Sequence, residues 1–322
     1  EGMINWSDKI GKVNYHIGGT FTYTTNELVD NGGSGAIKAG VRSDREGYPL
    51  NSVFGLRYCG KIQTEEQLKK FNMPGWYDLN GKVAIVTGGA TGLGLGITRC
   101  LVSAGATVCV VSRTEPQGVL DEFKGHAKFY PFDISNTEHT QELVDRIAAE
   151  QGHIDILINN AGNHCKKFIW DMTVEDYKNV LDVHLVGSFA MTKAVVPYMK
   201  AQSFGRVIFQ ASMTSYIGQP MVVGYSTAKA GFLGMIHTLT AELAEFGITV
   251  NAIAPGWIDT PMFHKATDND PPRLAKIMGR IPAKKVGDPM DVGMTAAFLC
   301  SNAARYISGT CIPVDGGALI GF

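Results

Sequence analysis

The sequence contains no run of 18 apolar residues, and its first 30 residues carry no apolar block behind a basic head. Neither a membrane span nor a secretory leader is therefore expected, no membrane is expected as a partner, and the expected setting is the cytoplasm. Charge imbalance is also missing. Lys and Arg number 29 against 30 Asp and Glu, for a formal net charge of −1, and no tract is strongly basic. A surface that follows a phosphate backbone is thus excluded, and nucleic acid is not an expected partner. The six cysteines include no Cys-x-x-Cys pair and no cluster at metal-ligand spacing. Buried free thiols are expected, with no metal and no disulfide framework.

With 322 residues, 45% of them hydrophobic, the chain can bury one large core, or one core and an appendage. Its composition changes near Asn80-Gly81. Residues 1–80 are rich in Gly, Asn, Thr, Ser and Tyr with little sustained periodicity. They are expected to form an irregular extension packed on the main domain or on a neighbouring subunit. Within it, Thr20–Thr25 suggests a short strand and Thr64-Glu65-Glu66-Gln67 a capping box opening a brief helix through Lys70.

Residues 81–322 alternate strand and helix patterns. Strands are expected at 83–87, 106–111, 127–132, 154–158, 205–211, 248–253 and 310–314. Helices are expected at 92–103, 115–122, 137–151, 173–200, 223–246 and 289–300. Continuous apolar runs such as Ile154–Ile158 belong to strands covered on both faces, which predicts an α/β fold: a doubly wound parallel sheet with helices on both faces. Its ligand is expected beyond the carboxyl ends of the strands.

The residues at those ends carry the chemistry. The first strand runs into Thr87-Gly88-Gly89-Ala90-Thr91-Gly92-Leu93-Gly94 and then a helix, so free helical N–H groups face whatever lies over the turn, as a pyrophosphate site requires. The spacing is wider than Gly-x-Gly-x-x-Gly, and no Lys-Ser or Lys-Thr follows as in a P-loop. The second strand stops at Ser112-Arg113, where an NAD site would place a carboxylate. A guanidinium there suits a ribose 2′-phosphate, although an ordinary surface Arg fits the position too. Asp133-Ile134 follows the third strand, with Asp133 either meeting an adenine amino group or capping the next helix. The fourth strand ends in Asn159-Asn160-Ala161-Gly162, a small-residue bend that lets backbone close on a ribose.

Ser212 ends the fifth strand, and Tyr225 and Lys229 follow on one helix face at i and i+4. A phenol with a reference pKa of about 10 is a poor acid or base at neutral pH. An adjacent ammonium favours the phenolate, and a Ser hydroxyl can hold a carbonyl oxygen. Alone, a Tyr-x-x-x-Lys pair is equally an exposed helix feature.

Taken together these motifs, with Asn251, Pro255-Gly256, Thr260 and Asp315-Gly316-Gly317, resemble the classical short-chain dehydrogenases/reductases from Lys82 onward, here with an atypical N-terminal extension. The resemblance implies a Rossmann-type, NAD(P)(H)-dependent oxidoreductase interconverting a carbonyl and a secondary alcohol, with NADP preferred and NAD the alternative. It is expected to assemble as a homotetramer or homodimer through the long helices. It implies Tyr225 as acid/base, Lys229 as holder of the nicotinamide ribose and Ser212 as anchor of the substrate oxygen. Pro255, Gly256, Ile258 and Thr260 would surround the nicotinamide. Two departures stand out. His184 occupies the position where the family keeps an Asn for proton relay, and imidazole can both donate and accept. Thr91 stands where several NADP-preferring relatives place a cation.

For the substrate, His164, Thr214, Trp257 and His264 are the expected contacts, and the charged segment through Arg273 reads as a mobile lid. Polar groups mixed with aromatics fit a sugar-like or polyol-derived ketone, or a small cyclic one. The alternatives are a catalytically weak dinucleotide-binding regulator and a nucleotide-sugar epimerase or dehydratase on the same scaffold.

Overall fold

The computed structural model describes residues 6–10, 13–17, 77–114 and 117–321. By internal contacts the chain divides into two units, Glu1–Met73 and Pro74–Phe322. In the first, β1 (Trp6–Ile10) and β2 (Val13–Ile17) pair antiparallel from Trp6 opposite Ile17 to Ile10 opposite Val13, a hairpin that the weak periodicity of this stretch did not announce. The strand suggested at Thr20–Thr25, the helix expected to open at Thr64, and Cys59 lie outside the described residues.

The second unit is built on a seven-stranded, all-parallel sheet. In chain order its strands are β3 (Val83–Thr87), β4 (Thr107–Ser112), β5 (Ala127–Pro131), β6 (Ile156–Asn159), β7 (Gly205–Gln210), β8 (Ile248–Pro255) and β9 (Cys311–Val314). In space the order is β5-β4-β3-β6-β7-β8-β9, with the reversal between β3 and β6. Strands β3, β6, β7 and β8 are buried along their whole length and the edge strands β5 and β9 are not, as expected when helices cover both faces. The period of two divides each central strand between two cores. Ile85, Leu157, Val207 and Val250 face one side with α2 (Thr140–Gln151), α4 (Gly187–Ala201) and α5 (Val223–Leu243). Ala84, Val86, Ile158 and Ile253 face the other with α1 (Gly92–Ser103) and α8 (Pro289–Cys300). Each fully buried aliphatic side chain contributes about 1.5–3 kcal/mol relative to an exposed one.

Helices α1 and α8 touch through small residues. A Cβ at Gly96 would lie 2.5 Å from the Pro289 carbonyl oxygen, and one at Gly293 would run into the Gly96 carbonyl. That close approach seats the amino end of α1 under the glycine turn. Cys100, Cys109 and Cys300 are buried free thiols, pushed up to about 11, 12 and 12 by loss of water.

Three expectations change in detail. The helix expected at 115–122 is a 3₁₀ turn, Val119–Phe123, because Gly118 and Lys124 adopt left-handed φ on either side. The helix expected at 173–200 is α3 (Val174–Leu181) and α4 joined by a π-helical turn, Asp182–Val186. By length and composition the continuous segment 174–201 is apolar enough to cross a bilayer, but Met191, Ala194, Val195 and Met199 are buried against the sheet. The charged segment read as a lid forms α6 (Pro261–Thr267) and α7 (Pro271–Arg280). The N-cap oxygens of Thr260 and Asp270, each followed by Pro at the first helical position, stop the chain from continuing as loop.

Asp155, just before β6, ties the amino ends of the strands. Its carboxylate accepts from the Val83 N–H at 2.9 Å and from Lys82 Nζ at 3.1 Å, and lies 3.0 Å from His153 Nε2. It is almost fully buried. Asp155→Ala removes the acceptor of the buried Val83 N–H and the partner of Lys82 and should cost ~3 kcal/mol, lowering Tm by roughly 6–12 °C. Calorimetric melting checks this; an unchanged Tm would show that water replaces the carboxylate fully.

Candidate active site

The carboxyl ends of β3, β4, β6, β7 and β8 open into one cleft of about 600 Å³, at the side of the sheet where strand order reverses. Every expected site residue lines it except Thr87 and His264.

Thr87 lies directly beneath. Its hydroxyl donates to the Ile158 carbonyl and accepts from the N–H groups of Asn160 (2.9 Å) and Ala161 (3.0 Å), locking the β3 and β6 ends together. The Asn160 amide returns the tie, donating to the carbonyls of Thr87 (2.8 Å) and Gly88 (3.2 Å). The turn between β3 and α1 needs its glycines. Gly88 and Gly92 have φ of +65° and +52°, and a Cβ on Gly94 would collide with the Gly88 carbonyl and come 2.6 Å from Asn160 Nδ2. A side-chain-free cradle under the amino end of a twelve-residue helix fits a pyrophosphate.

Farther along, Arg113 and Asp133 approach to 3.8 Å, both largely exposed, so this pair adds little stability and leaves the guanidinium free to turn toward a ligand. Burial alone would raise the Asp133 carboxyl, but bonds from the Ser135 N–H and hydroxyl, together with the Arg113 charge, hold it below its ordinary value. It closes the turn after β5 rather than capping α2. At the other end, Thr260 accepts from the Phe263 N–H at 3.2 Å.

Ser212, Tyr225 and Lys229 converge at the end of β7. Ser212 is buried, and its hydroxyl accepts from the Thr214 N–H at 3.1 Å. Helix α5 presents Tyr225 and Lys229 one turn apart. Lys229 Nζ lies 5.4 Å from the centre of the Tyr225 ring and donates to the Gln210 carbonyl, while the Ser215 hydroxyl donates to the Lys229 carbonyl at 2.7 Å. Burial lowers the Lys229 ammonium to about 7. Burial raises the Tyr225 phenol above its ordinary value, with the Ser212 hydroxyl working in the opposite direction. The sequence pattern suggested that Lys229 makes Tyr225 more acidic. In the structure the ammonium is itself desolvated and is aimed at a backbone carbonyl.

Two imidazoles bracket the phenol. His164 stacks on its face at 4.3 Å between centres and 20° between planes, and His184 meets it edge-on at 5.4 Å. The π-helical turn at 182–186 directs His184 inward, where its Nε2 lies 2.9 Å from the Asn163 carbonyl and 3.2 Å from its N–H. Its Nδ1 is buried without a partner among the described residues. Burial and the Lys229 charge lower His184 to about 3, and burial with Lys166 and Lys229 lowers His164 to about 4. Both rings are therefore neutral at physiological pH. A neutral ring with one free buried nitrogen keeps the capacity to pass a proton.

His264 is not brought into the cleft. It bridges Asp259 (2.7 Å) and Asp268 (2.9 Å) on the exposed side of α6, and those carboxylates raise its pKa. Asp268 is its i,i+4 neighbour on the helix face. Conversely, Val183, Gln210, Arg273 and Ile277 line the cleft without having been singled out. The Asp270-Pro271-Pro272 start signal and the Ile277 period mark a helix that carries Arg273 inward.

Comparison with known proteins agrees with this arrangement. Residues 88–318 match the family model described as Enoyl-(Acyl carrier protein) reductase. A 3-oxoacyl-(acyl-carrier-protein) reductase of Thermotoga maritima is 36% identical over 247 residues, 75% of this chain and 99% of that protein. A 2-dehydro-3-deoxy-D-gluconate 5-dehydrogenase of Formosa agariphila is 38% identical over 250 residues, 76% of this chain and 94% of that one. The crystal structure of a gluconate 5-dehydrogenase from Burkholderia cenocepacia J2315 in complex with NADP and tartrate superposes with a TM-score of 0.73 at 28% identity, covering 77% of this chain and 98% of that one. With its parallel sheet, its glycine cradle and these relatives, the chain belongs to the short-chain dehydrogenase/reductase family and is of the NAD(P)-dependent oxidoreductase type.

Proposed function

We propose that this protein interconverts a carbonyl and a secondary alcohol on a polyhydroxylated, sugar-derived substrate, with NADP(H) preferred over NAD(H). The observation that carries the reading is the convergence of Ser212, Tyr225 and Lys229 at the carboxyl end of the sheet, beside the glycine cradle. The cradle, the Asn160–Gly162 bend and Thr260 would hold the dinucleotide. The bound nicotinamide supplies or accepts the hydride. Ser212 orients the substrate oxygen, and the protonated Tyr225 phenol donates its proton to that oxygen in reduction and recovers it in oxidation. Lys229, buried one helical turn from Tyr225, holds the nicotinamide ribose and stabilises the phenolate left behind. His184 Nδ1 offers a neutral onward station for the proton.

The names of the relatives divide between acyl thioesters and sugar acids. The cleft favours the second class, because His164, Thr214, Gln219 and Lys166 interrupt any apolar wall long enough for an acyl chain. Exposed Val186 and Phe189 on the α4 side support self-association through the long helices. A panel of sugars, polyols and cyclic ketones followed at 340 nm with both cofactors tests the reading. Absence of turnover throughout, with NADP bound, favours the regulatory alternative.

Arg113→Ala should weaken NADP about tenfold or more while leaving NAD within twofold, since a charge-assisted contact to a 2′-phosphate is lost only with NADP. Equal losses in fluorescence titrations would remove Arg113 from that role. For His184→Asn, activity within about threefold is expected if the position serves as a proton relay, because the amide also donates and accepts. A fall beyond about a hundredfold would assign the imidazole a function of its own.

A further inference from the structure

Among the described residues, the substrate side of the cleft gathers cations and no carboxylate. Lys166, in the loop after β6, and Arg273, in the first turn of α7, line the same cleft as Ser212 and Tyr225 although they lie far apart in the chain. Among the described residues neither has an acidic side chain within ion-pairing distance, and the acids nearby in sequence are engaged elsewhere. Asp176 is taken by Lys167 at 2.7 Å and by the Thr173 hydroxyl. Asp270 accepts from the Arg273 backbone N–H at 3.0 Å as the cap of α7, and Asp259 and Asp268 hold His264. The acidic residue that does line the cleft, Asp133, follows edge strand β5 and faces Arg113. Partial burial and the charge of Arg273 lower the Lys166 ammonium, so the two cations sense one another. His164 is neutral and does not offset them. Closer to the reacting group, the Thr214 hydroxyl is buried and has no partner among the described residues, although Thr214 lines the cleft.

We propose that Lys166 and Arg273 together hold a carboxylate of the substrate, so that the enzyme acts on a polyhydroxy acid, or the keto acid derived from it, in preference to the matching neutral polyol. This rests on the oxidoreductase reading above. A guanidinium offers two parallel N–H donors and an ammonium a compact charge, a pairing that suits a planar carboxylate. Thr214 then meets a hydroxyl between the anchored end and the carbon undergoing reaction. The carboxylate is a spectator in the redox step. Oxidation moves a hydride from the carbinol carbon to NADP⁺ and the hydroxyl proton to Tyr225, and the charge at the anchor does not change.

The test is calorimetric titration at fixed ionic strength, on Tyr225→Phe protein saturated with NADP⁺ so that turnover is blocked. The probes are four- to six-carbon aldonic acids, each with its matched alditol. The acids should bind about tenfold or more tightly than the alditols. Lys166→Gln and Arg273→Gln should each weaken acid binding about tenfold while changing alditol binding less than twofold. Lys167→Gln, whose ammonium is paired with Asp176, should leave both unchanged. Steady-state rates in the Tyr225-containing single variants should show the same loss in KM for the acid with little change in kcat. The anchor is wrong if acids and alditols bind alike, or if the two variants weaken both to the same extent. Absence of saturable binding of both NADP⁺ and NAD⁺ would instead remove the oxidoreductase reading, and the anchor with it. Intact NADP⁺ binding without acid preference removes the anchor alone.

Discussion

Tyr225→Phe should lower kcat about a thousandfold while leaving NADP affinity within about twofold, a loss of ~4 kcal/mol of transition-state stabilisation. The substitution deletes one oxygen and keeps the ring. The face-to-face contact with His164 at 4.3 Å and the edge contact with His184 at 5.4 Å both survive, so the site's shape is preserved. What is lost is the proton that the substrate oxygen must gain or give up. Neutral His184 sits on the far side of an intact ring, and Lys229 is directed at the Gln210 carbonyl, so neither takes over the role. Single-turnover reduction with saturating NADPH isolates the step from product release. Near-normal turnover would mean that the proton comes from elsewhere, with Ser212 or solvent the remaining sources.

The second large effect is expected at the cradle. Gly94→Ala places a methyl group against the Gly88 carbonyl and 2.6 Å from Asn160 Nδ2. Neither neighbour is free to retreat. Asn160 is tied to the carbonyls of both Thr87 and Gly88, and the Gly88 N–H donates to the Val111 carbonyl at 2.7 Å. Overpacking of this kind costs about 1–3 kcal/mol in stability. The larger consequence is for NADP, whose affinity should fall about a hundredfold or more, because the helical N–H groups no longer lie where a pyrophosphate can reach them. Gly279→Ala on α7 is the control. A Cβ there meets nothing within 4 Å, and alanine favours the helix by up to about 1 kcal/mol. If Gly94→Ala bound NADP as well as that control, the cradle would not be the phosphate site.

Much of this architecture was legible before any coordinates. Continuous runs such as Ile156–Ile158 are buried on both faces only in a parallel sheet between helical layers. The glycine turn was readable because a strand that reverses into a helix within a few residues leaves no other residue type room. Tyr225-x-x-x-Lys229 was readable because spacing on one helix face survives any tertiary arrangement, and Ser212 because it stands at the end of an apolar strand run. Failures came where spacing in sequence does not decide direction in space. His264 occupies a position that looked as though it faced the substrate, yet two carboxylates hold it outward. Arg273 looked like part of a charged loop and is carried inward on α7. The π-helical turn that aims His184 has no signature of its own, since Asp182–Val186 continues the helical pattern on either side without interruption.

The sequence by itself determined the parallel sheet, the glycine turn and the candidates for the reacting side chains, because each follows from local periodicity or from a short fixed spacing along the chain. Only the tertiary structure decided what surrounds them. It stacks His164 on the phenol, turns Lys229 toward a backbone carbonyl, and brings Lys166 and Arg273 to one wall. Those relations depend on how two hydrophobic cores seat separate elements against a common sheet, and a linear chain does not encode that distance in any motif.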